Sequence, residues 1–287
     1  MKQLTIISGK GGTGKTSITA AFASLAKNAV LADCDVDAAD LHLILKPKIK
    51  KTIGFHGLNI ANIDKDRCIG CKKCYELCKF DAIDEEINLT PESCEGCGVC
   101  EYICPVDAIS MKERDSGFAY ISDTRFGPMA HAMLNTAEEA SGKLVTVVRN
   151  NAKTLVEQKN KDMVIIDGPP GIGCPVIASI TGVDMVLIVT EPTLSAIHDL
   201  ERILGVTHHF NIPAIVCINK YDINEENTEK IKNYCKMNNI DVVGELPYDT
   251  VVTEAMIHEQ NVIEFSTGEL TDRIVEMWGK IMKRLNV

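Results

Sequence analysis

Gly9-Lys10-Gly11-Gly12-Thr13-Gly14-Lys15-Thr16 satisfies the pattern G-x-x-x-x-G-K-[ST]. It lies between the apolar run Leu4–Ile7 and a stretch of helical period, Thr16–Leu25. Glycines there let backbone N–H groups curl around phosphates, and a helix starting near Lys15 adds the positive end of its dipole. Lys15 would neutralise the β- and γ-phosphates of a nucleotide, and the Thr16 hydroxyl, next to Ser17, would ligate Mg²⁺.

Two acidic elements complete this chemistry. Asp167 ends the apolar run Val164-Ile165-Ile166 and precedes Gly168-Pro169-Pro170-Gly171, a position suited to holding Mg²⁺. Asp33-Cys34-Asp35-Val36-Asp37 follows a second apolar run, and a carboxylate there can orient the attacking water. Thr16, Asp35 and Asp167 form the expected Mg²⁺ set, while Asp37 reads equally well as a solvated loop residue.

Cysteine supplies a third chemistry. Eight of the twelve fall between Cys68 and Cys104, in a chain that opens directly on a buried strand and not on a secretion signal. That combination points to metal ligation over disulfides and to a cytoplasmic setting. Cys68, Cys71, Cys74 and Cys78 recur 26 residues on as Cys94, Cys97, Cys100 and Cys104, and Phe80-Asp81-Ala82-Ile83 is echoed by Val106-Asp107-Ala108-Ile109. Each run reads C-x₂-C-x₂-C-x₃-C, the spacing of two-cluster [4Fe–4S] ferredoxins, in which the fourth cysteine serves the other cluster. The expected sets are therefore Cys68, Cys71, Cys74 and Cys104, and Cys94, Cys97, Cys100 and Cys78. Two Cys₄ zinc sites are the structural alternative, although zinc modules usually place a longer loop between two cysteine pairs. Cys78 is followed by Lys79 where the ferredoxin pattern has proline; proline is no ligand, so binding survives the departure.

With Lys10 inside its loop, the first motif resembles the deviant K-G-G-T-G-K-T loop of the MinD/Mrp/ParA and nitrogenase iron-protein superfamily. The resemblance covers the chain outside the cysteine block and is closest to MinD-type ATPases carrying an inserted ferredoxin domain. It implies a slow ATPase in which nucleotide sits at a dimer interface and Lys10 reaches the partner's phosphates. Lys10, Lys15, Asp35 and Asp167 are then the catalytic residues, with Asp33–Asp35 as switch I and Asp167–Gly171 as switch II. The resemblance also places Asn219, Lys220, Pro247 and Asp249 at the adenine. Cys174, close behind switch II, lies where the iron protein holds an intersubunit cluster, but no second cysteine stands between Cys104 and Cys174 to complete one.

These residues need a scaffold. Short apolar runs at Leu4–Ile7, Val30–Ala32, Leu144–Val148, Met163–Ile166, Met185–Val189, Ala214–Ile218 and Val242–Val243 alternate with helical stretches such as Leu194–His208. That pattern predicts an α/β, mainly parallel sheet covered on both faces. The alternation stops over residues 64–111, which predicts a small α+β ferredoxin-like domain inserted between 1–63 and 112–287. The insert carries eleven Asp or Glu against five Lys or Arg, and the chain's net charge is −10, which argues against nucleic-acid partners. The C-terminal periodicity through Leu270, Ile274, Met277, Ile281 and Leu285 reads as a helix packed on the sheet. Glu269, Asp272 and Glu276 dilute its basic face, so membrane association is not expected.

The expected function is an ATP-switched homodimer, or a heterodimer with a related ATPase. It would couple nucleotide state to low-potential electron transfer toward a redox partner or client metalloprotein. Two alternatives stand beside it. One is a cluster-assembly carrier, which typically uses a C-P-x-C pair that is absent here. The other is a non-redox positioning ATPase.

Overall fold

The computed structural model describes residues 1–135, 138 and 141–286. They divide into two compact units, one of Met1–Thr52, Ala119–Met133 and the chain from Ser141 onward, the other of Ile53–Phe118 with the segment beginning at Leu134.

The first unit is built on β1 (Lys2–Ser8), which feeds α1 (Lys15–Leu25) and then β2 (Ala29–Asp33) and the short α2 (Leu41–Leu45). Next come β3 (Lys48–Ile63), then α3 (Lys73–Leu77) and α4 (Val99–Tyr102) among the cysteines, then β4 (Ile109–Thr124) and β5 (Gly127–Leu134). The remainder runs α5 (Ser141–Lys159), β6 (Met163–Pro170), α6 (Cys174–Ile180), β7 (Met185–Thr190), α7 (Leu194–His209), β8 (Ala214–Asn219), α8 (Glu225–Met237) and β9 (Asp241–Leu246). Helices α9 (Val251–Ile257), α10 (Val262–Phe265) and α11 (Glu269–Leu285) close the chain.

The strand order is β3-β4-β5-β2-β6-β1-β7-β8-β9. Parallel pairing links β5-β2-β6-β1-β7-β8-β9, as expected for a sheet whose strands are buried on both faces. Leu4, Ile6, Leu31, Ile165 and Leu187 form one face of the core with Phe22 of α1 and with Ile274, Met277 and Ile281 of α11. The last helix is thus a core element, and Trp278 packs on Phe22 at 4.8 Å between ring centroids.

Three expectations need correction. Leu144–Val148 is not a strand but the first part of α5: Leu144, Val145, Val148, Ala152, Leu155 and Val156 are buried at helical spacing. A five-residue apolar run cannot distinguish the two periods, and the continuation decides. Second, the inserted unit is wider than 64–111. The compact unit that holds the cysteines runs from Ile53 to Phe118, and within it the pairs His56/Asp115 and Asp64/Ala108 move in opposite directions, so β3 and β4 run antiparallel there. Third, β3, β4 and β5 fall where no sheet strand was expected: exposed polar positions break the pattern of β3 and β4, while β5 is buried from Pro128 to Ala132 but lacks the β-branched residues that mark a strand.

Candidate functional site

The loop between β1 and α1 has the shape a phosphate needs. Gly14 sits at φ 87° as the residue before α1, and a Cβ there would meet Asn219 Nδ2 at 2.4 Å, so only glycine fits. Gly11 and Gly12 have open space where a side chain would project. Thr13 is buried, with its Oγ1 lacking a hydrogen-bond partner, an orphan donor inside the loop. These features fit an anion cradled by backbone N–H groups.

Lys15 and Asp167 lie buried at the centre, their side chains 6% and 1% exposed. The Lys15 ammonium stands 2.8 Å from Asp167 Oδ1 and 3.2 Å from Asp35 Oδ2. Thr16 Oγ1 donates to Asp167 Oδ2 at 2.8 Å and Thr19 Oγ1 to its Oδ1 at 3.0 Å. Burial works against the charge on Lys15, but Asp167 and then Asp35 more than offset it, leaving its pKa raised. Burial raises Asp35 as well, with Lys15 opposing. Of the residues expected from sequence, Lys15, Thr16, Asp35 and Asp167 share one cluster, while Lys10 pairs with Glu191. Asp37 is exposed.

Asp33 is the costly member. The β2–β6 register places it directly opposite Asp167, its Oδ1 accepts from the Asp35 N–H at 3.2 Å, and its buried Oδ2 has no partner. Burial first, and Asp167 second, push its carboxyl well above the usual range. A carboxyl raised in the folded state binds its proton more tightly there than when unfolded, so its contribution to stability is lost as pH rises through the folded pKa. Asp33→Asn has no such proton to lose. The melting-temperature difference, variant minus wild type, is expected to increase from pH 4.5 to pH 7.5, and a constant difference would count against a protonated Asp33.

Lys10 does not lie free. It pairs with Glu191 Oε1 at 2.6 Å and donates to Thr193 Oγ1 at 3.3 Å, while Lys220 reaches Glu191 Oε2 and the Gly12 carbonyl, each at 3.3 Å. Burial opposes the Glu191 charge, but the bonds from Lys10 and Lys220 win and hold its carboxyl below the usual range. Sequence reading missed Glu191 and Thr19. Glu191 directly follows the carboxyl end of β7, the edge where open α/β sheets bind ligands, and that position was the available signal.

Beside the loop lies a cavity of about 230 Å³ lined by Ser17, Asn219, Lys220, Pro247, Tyr248 and Asp249 among others. All four residues expected at the adenine line it. Asn219 Nδ2 donates to the Thr13 carbonyl at 2.8 Å, tying this wall to the loop.

In the second unit the eight cysteines stand around two cavities. One is lined by Cys68, Cys71, Cys74 and Cys104, the other by Cys94, Cys97, Cys100 and Cys78. Each run thus sends its fourth cysteine to the other cavity. Among the described residues no three His, Cys, Asp or Glu side chains are gathered closely enough to hold a single metal ion. The Ala108 N–H donates to Cys104 Sγ at 3.2 Å. Of the remaining cysteines, Cys34 and Cys217 are fully buried with thiol pKa values raised by burial, Cys235 is buried, and Cys174 is exposed.

A glycine loop on a parallel sheet, a buried lysine–aspartate pair behind it and a cavity beside it define a P-loop nucleotide-binding protein. The chain belongs to the CobQ/CobB/MinD/ParA nucleotide-binding family, whose model matches residues 4–262. An uncharacterised protein of Methanocaldococcus jannaschii is 35% identical, over 97% of this chain and 96% of its own length. The septum site-determining protein MinD of Bacillus subtilis is 26% identical over 90% and 81%. The fold is similar to that of MinD from Pyrococcus horikoshii, solved with Mg-ADP, at TM-score 0.60 and 16% identity over 98% and 96% of the chains. It is also similar to an Aquifex aeolicus MinC:MinD complex at TM-score 0.60 and 17% identity, over 99% and 96%. No helix among the described residues is long and apolar enough to cross a membrane.

Proposed function

We propose that this chain is an ATP-switched, dimerising ATPase whose nucleotide state governs low-potential electron transfer through two [4Fe–4S] clusters. Kinship with MinD and ParA supports the ATPase. Taken alone, it supports a non-redox positioning ATPase at least as well as a redox one, and that is the second reading. The observation that carries the redox reading is the division of eight cysteines into two cavities with the fourth ligands exchanged, a donor set suited to two thiolate-held clusters.

At the nucleotide, Lys15 would shift from Asp167 toward the β- and γ-phosphates, leaving the Asp167 carboxylate and the Thr16 hydroxyl to hold Mg²⁺. Asp35 would orient water at the γ-phosphate. Asn219, Lys220, Pro247 and Asp249 would contact the base. The resemblance of the loop to the deviant K-G-G-T-G-K-T motif suggests the use of Lys10: released from Glu191, it would reach the phosphates of a second copy or a related ATPase. Lys10→Ala is therefore expected to bind Mg-ATP within about threefold of wild type but to hydrolyse it about 10²-fold more slowly, as for a cation stabilising transferred phosphate. Equilibrium binding of a fluorescent ATP analogue, with steady-state phosphate release, reads both.

In the other unit, Cys68, Cys71, Cys74 and Cys104 would hold one cluster and Cys94, Cys97, Cys100 and Cys78 the other. Such clusters supply one-electron transfer at low potential. Any coupling would run along the chain itself, since β3 begins at Lys48 in the ATPase unit and ends at Ile63 in the cysteine unit. The test is iron quantitation and electron paramagnetic resonance on anaerobically purified, dithionite-reduced protein, with and without Mg-ATP. About eight irons with an ATP-dependent signal support the coupled reading. Eight irons indifferent to ATP remove the coupling, ready loss of iron to a chelator favours a cluster carrier, and zinc or no metal leaves the positioning ATPase.

A further inference from the structure

The 26-residue repeat allows the two cysteine cavities to be compared position by position. From first to third cysteine the runs read Cys68-Ile69-Gly70-Cys71-Lys72-Lys73-Cys74 and Cys94-Glu95-Gly96-Cys97-Gly98-Val99-Cys100. Ile69, Lys72 and Lys73 line the cavity of Cys68, Cys71, Cys74 and Cys104. Their equivalents Glu95, Gly98 and Val99 line that of Cys94, Cys97, Cys100 and Cys78. Matching positions thus place two lysines at the first set and one glutamate at the second. Lys72 is paired to Glu85 at 2.9 Å and counts for less, so Lys73 carries most of the difference on that side. At the second set, Lys79 follows Cys78 but does not line the cavity, and Glu101 accepts at 3.1 Å from the N–H of Met111, which does. At the first set, the Ala108 N–H donates to Cys104 Sγ at 3.2 Å.

A [4Fe–4S] centre gains one negative charge on reduction, and its potential follows local charge, hydrogen bonds to its sulfurs and exposure. A nearby ammonium and an N–H on sulfur favour the more negative state, whereas a nearby carboxylate opposes it. We infer that the two sites differ in potential, that of Cys68, Cys71, Cys74 and Cys104 being the higher, and that Lys73 and Glu95 set the gap. The first electron from an external reductant then rests at the Cys68 set. The Cys94 set fills second and is the stronger reductant of the two. This inference rests on the iron–sulfur reading above.

The test is an anaerobic redox titration of the full chain, with dithionite as the electron donor and electron paramagnetic resonance as the readout. The wild type should take up two electrons in two steps, with the first site favoured about tenfold, equivalent to about 59 mV between one-electron centres. Lys73→Gln should weaken the upper reduction equilibrium about threefold and move the lower one less. Glu95→Gln should strengthen the lower equilibrium by about the same factor and move the upper one less. Lys73 is exposed, so the effect of Lys73→Gln should shrink between low salt and about 200 mM salt. Iron content should match the wild type in both variants. A single step, or Lys73→Gln acting mainly on the lower midpoint or on neither, with iron in place, would overturn the assignment alone. A wild-type chain without iron would overturn both the assignment and the reading beneath it.

Discussion

Lys15→Gln is expected to lose ATP hydrolysis by at least about 10²-fold and, separately, to destabilise the ATPase unit by about 3–5 kcal/mol at neutral pH. The first effect removes the cation from the phosphates. The second is independent of nucleotide: Asp167 and Asp35 lean on Lys15 at 2.8 and 3.2 Å, and without it buried carboxylate charge is left uncompensated. The two effects separate in the double variant Lys15→Gln/Asp167→Asn, which should recover much of the stability and none of the activity. Urea unfolding followed by Trp278 fluorescence measures the stability. Trp278 is the chain's one tryptophan and packs on Phe22 of the helix that begins with Lys15. If Lys15→Gln were as stable as wild type, the buried pair would not be the compensating device described above.

The second large effect concerns cluster ligation, through pairs of substitutions. With fourth ligands exchanged, Cys78 and Cys97 serve the same cavity although they belong to different runs, while Cys78 and Cys71 serve different cavities although they share one. Cys78→Ala/Cys97→Ala should therefore keep about half the iron of the wild type, and Cys78→Ala/Cys71→Ala should lose nearly all of it. Run-by-run ligation gives the reverse, so iron content alone decides. The half-loaded variant should also show a simpler reduced-state resonance, because one paramagnet has lost its neighbour.

Much of the nucleotide site was legible because its residues are close in sequence or mark strand ends. Gly9–Thr16 is a local motif, and Asp33 and Asp167 end two apolar runs that become adjacent strands. The grouping of the cysteines about two cavities was legible only through the ferredoxin spacing, in which the fourth cysteine of each run serves the other set. What escaped depends on distance in the chain. Glu191 gains its role only when β7 lies beside β1 and brings it to Lys10, and its place just after the β7 run was the one local signal. Leu144–Val148 failed for the opposite reason, since five apolar residues satisfy a strand as well as a helix until Ala152, Leu155 and Val156 are counted. The borders of the second unit were missed because β3 and β4 carry largely exposed polar positions outside the cysteines.

Strand order also has a consequence for biosynthesis. β1 is made first, yet both of its sheet neighbours, β6 and β7, lie far downstream. Most of the cysteine unit, and every thiol of both sets, lies between Ile53 and Phe118 and emerges from the ribosome before either neighbour exists. Domains generally fold as units during N-to-C synthesis, whereas pairings between distant segments come late. All eight thiols can thus be in place before the nucleotide-binding sheet is complete, and on the iron–sulfur proposal a nascent chain stalled before Met163 would already present the whole set for iron.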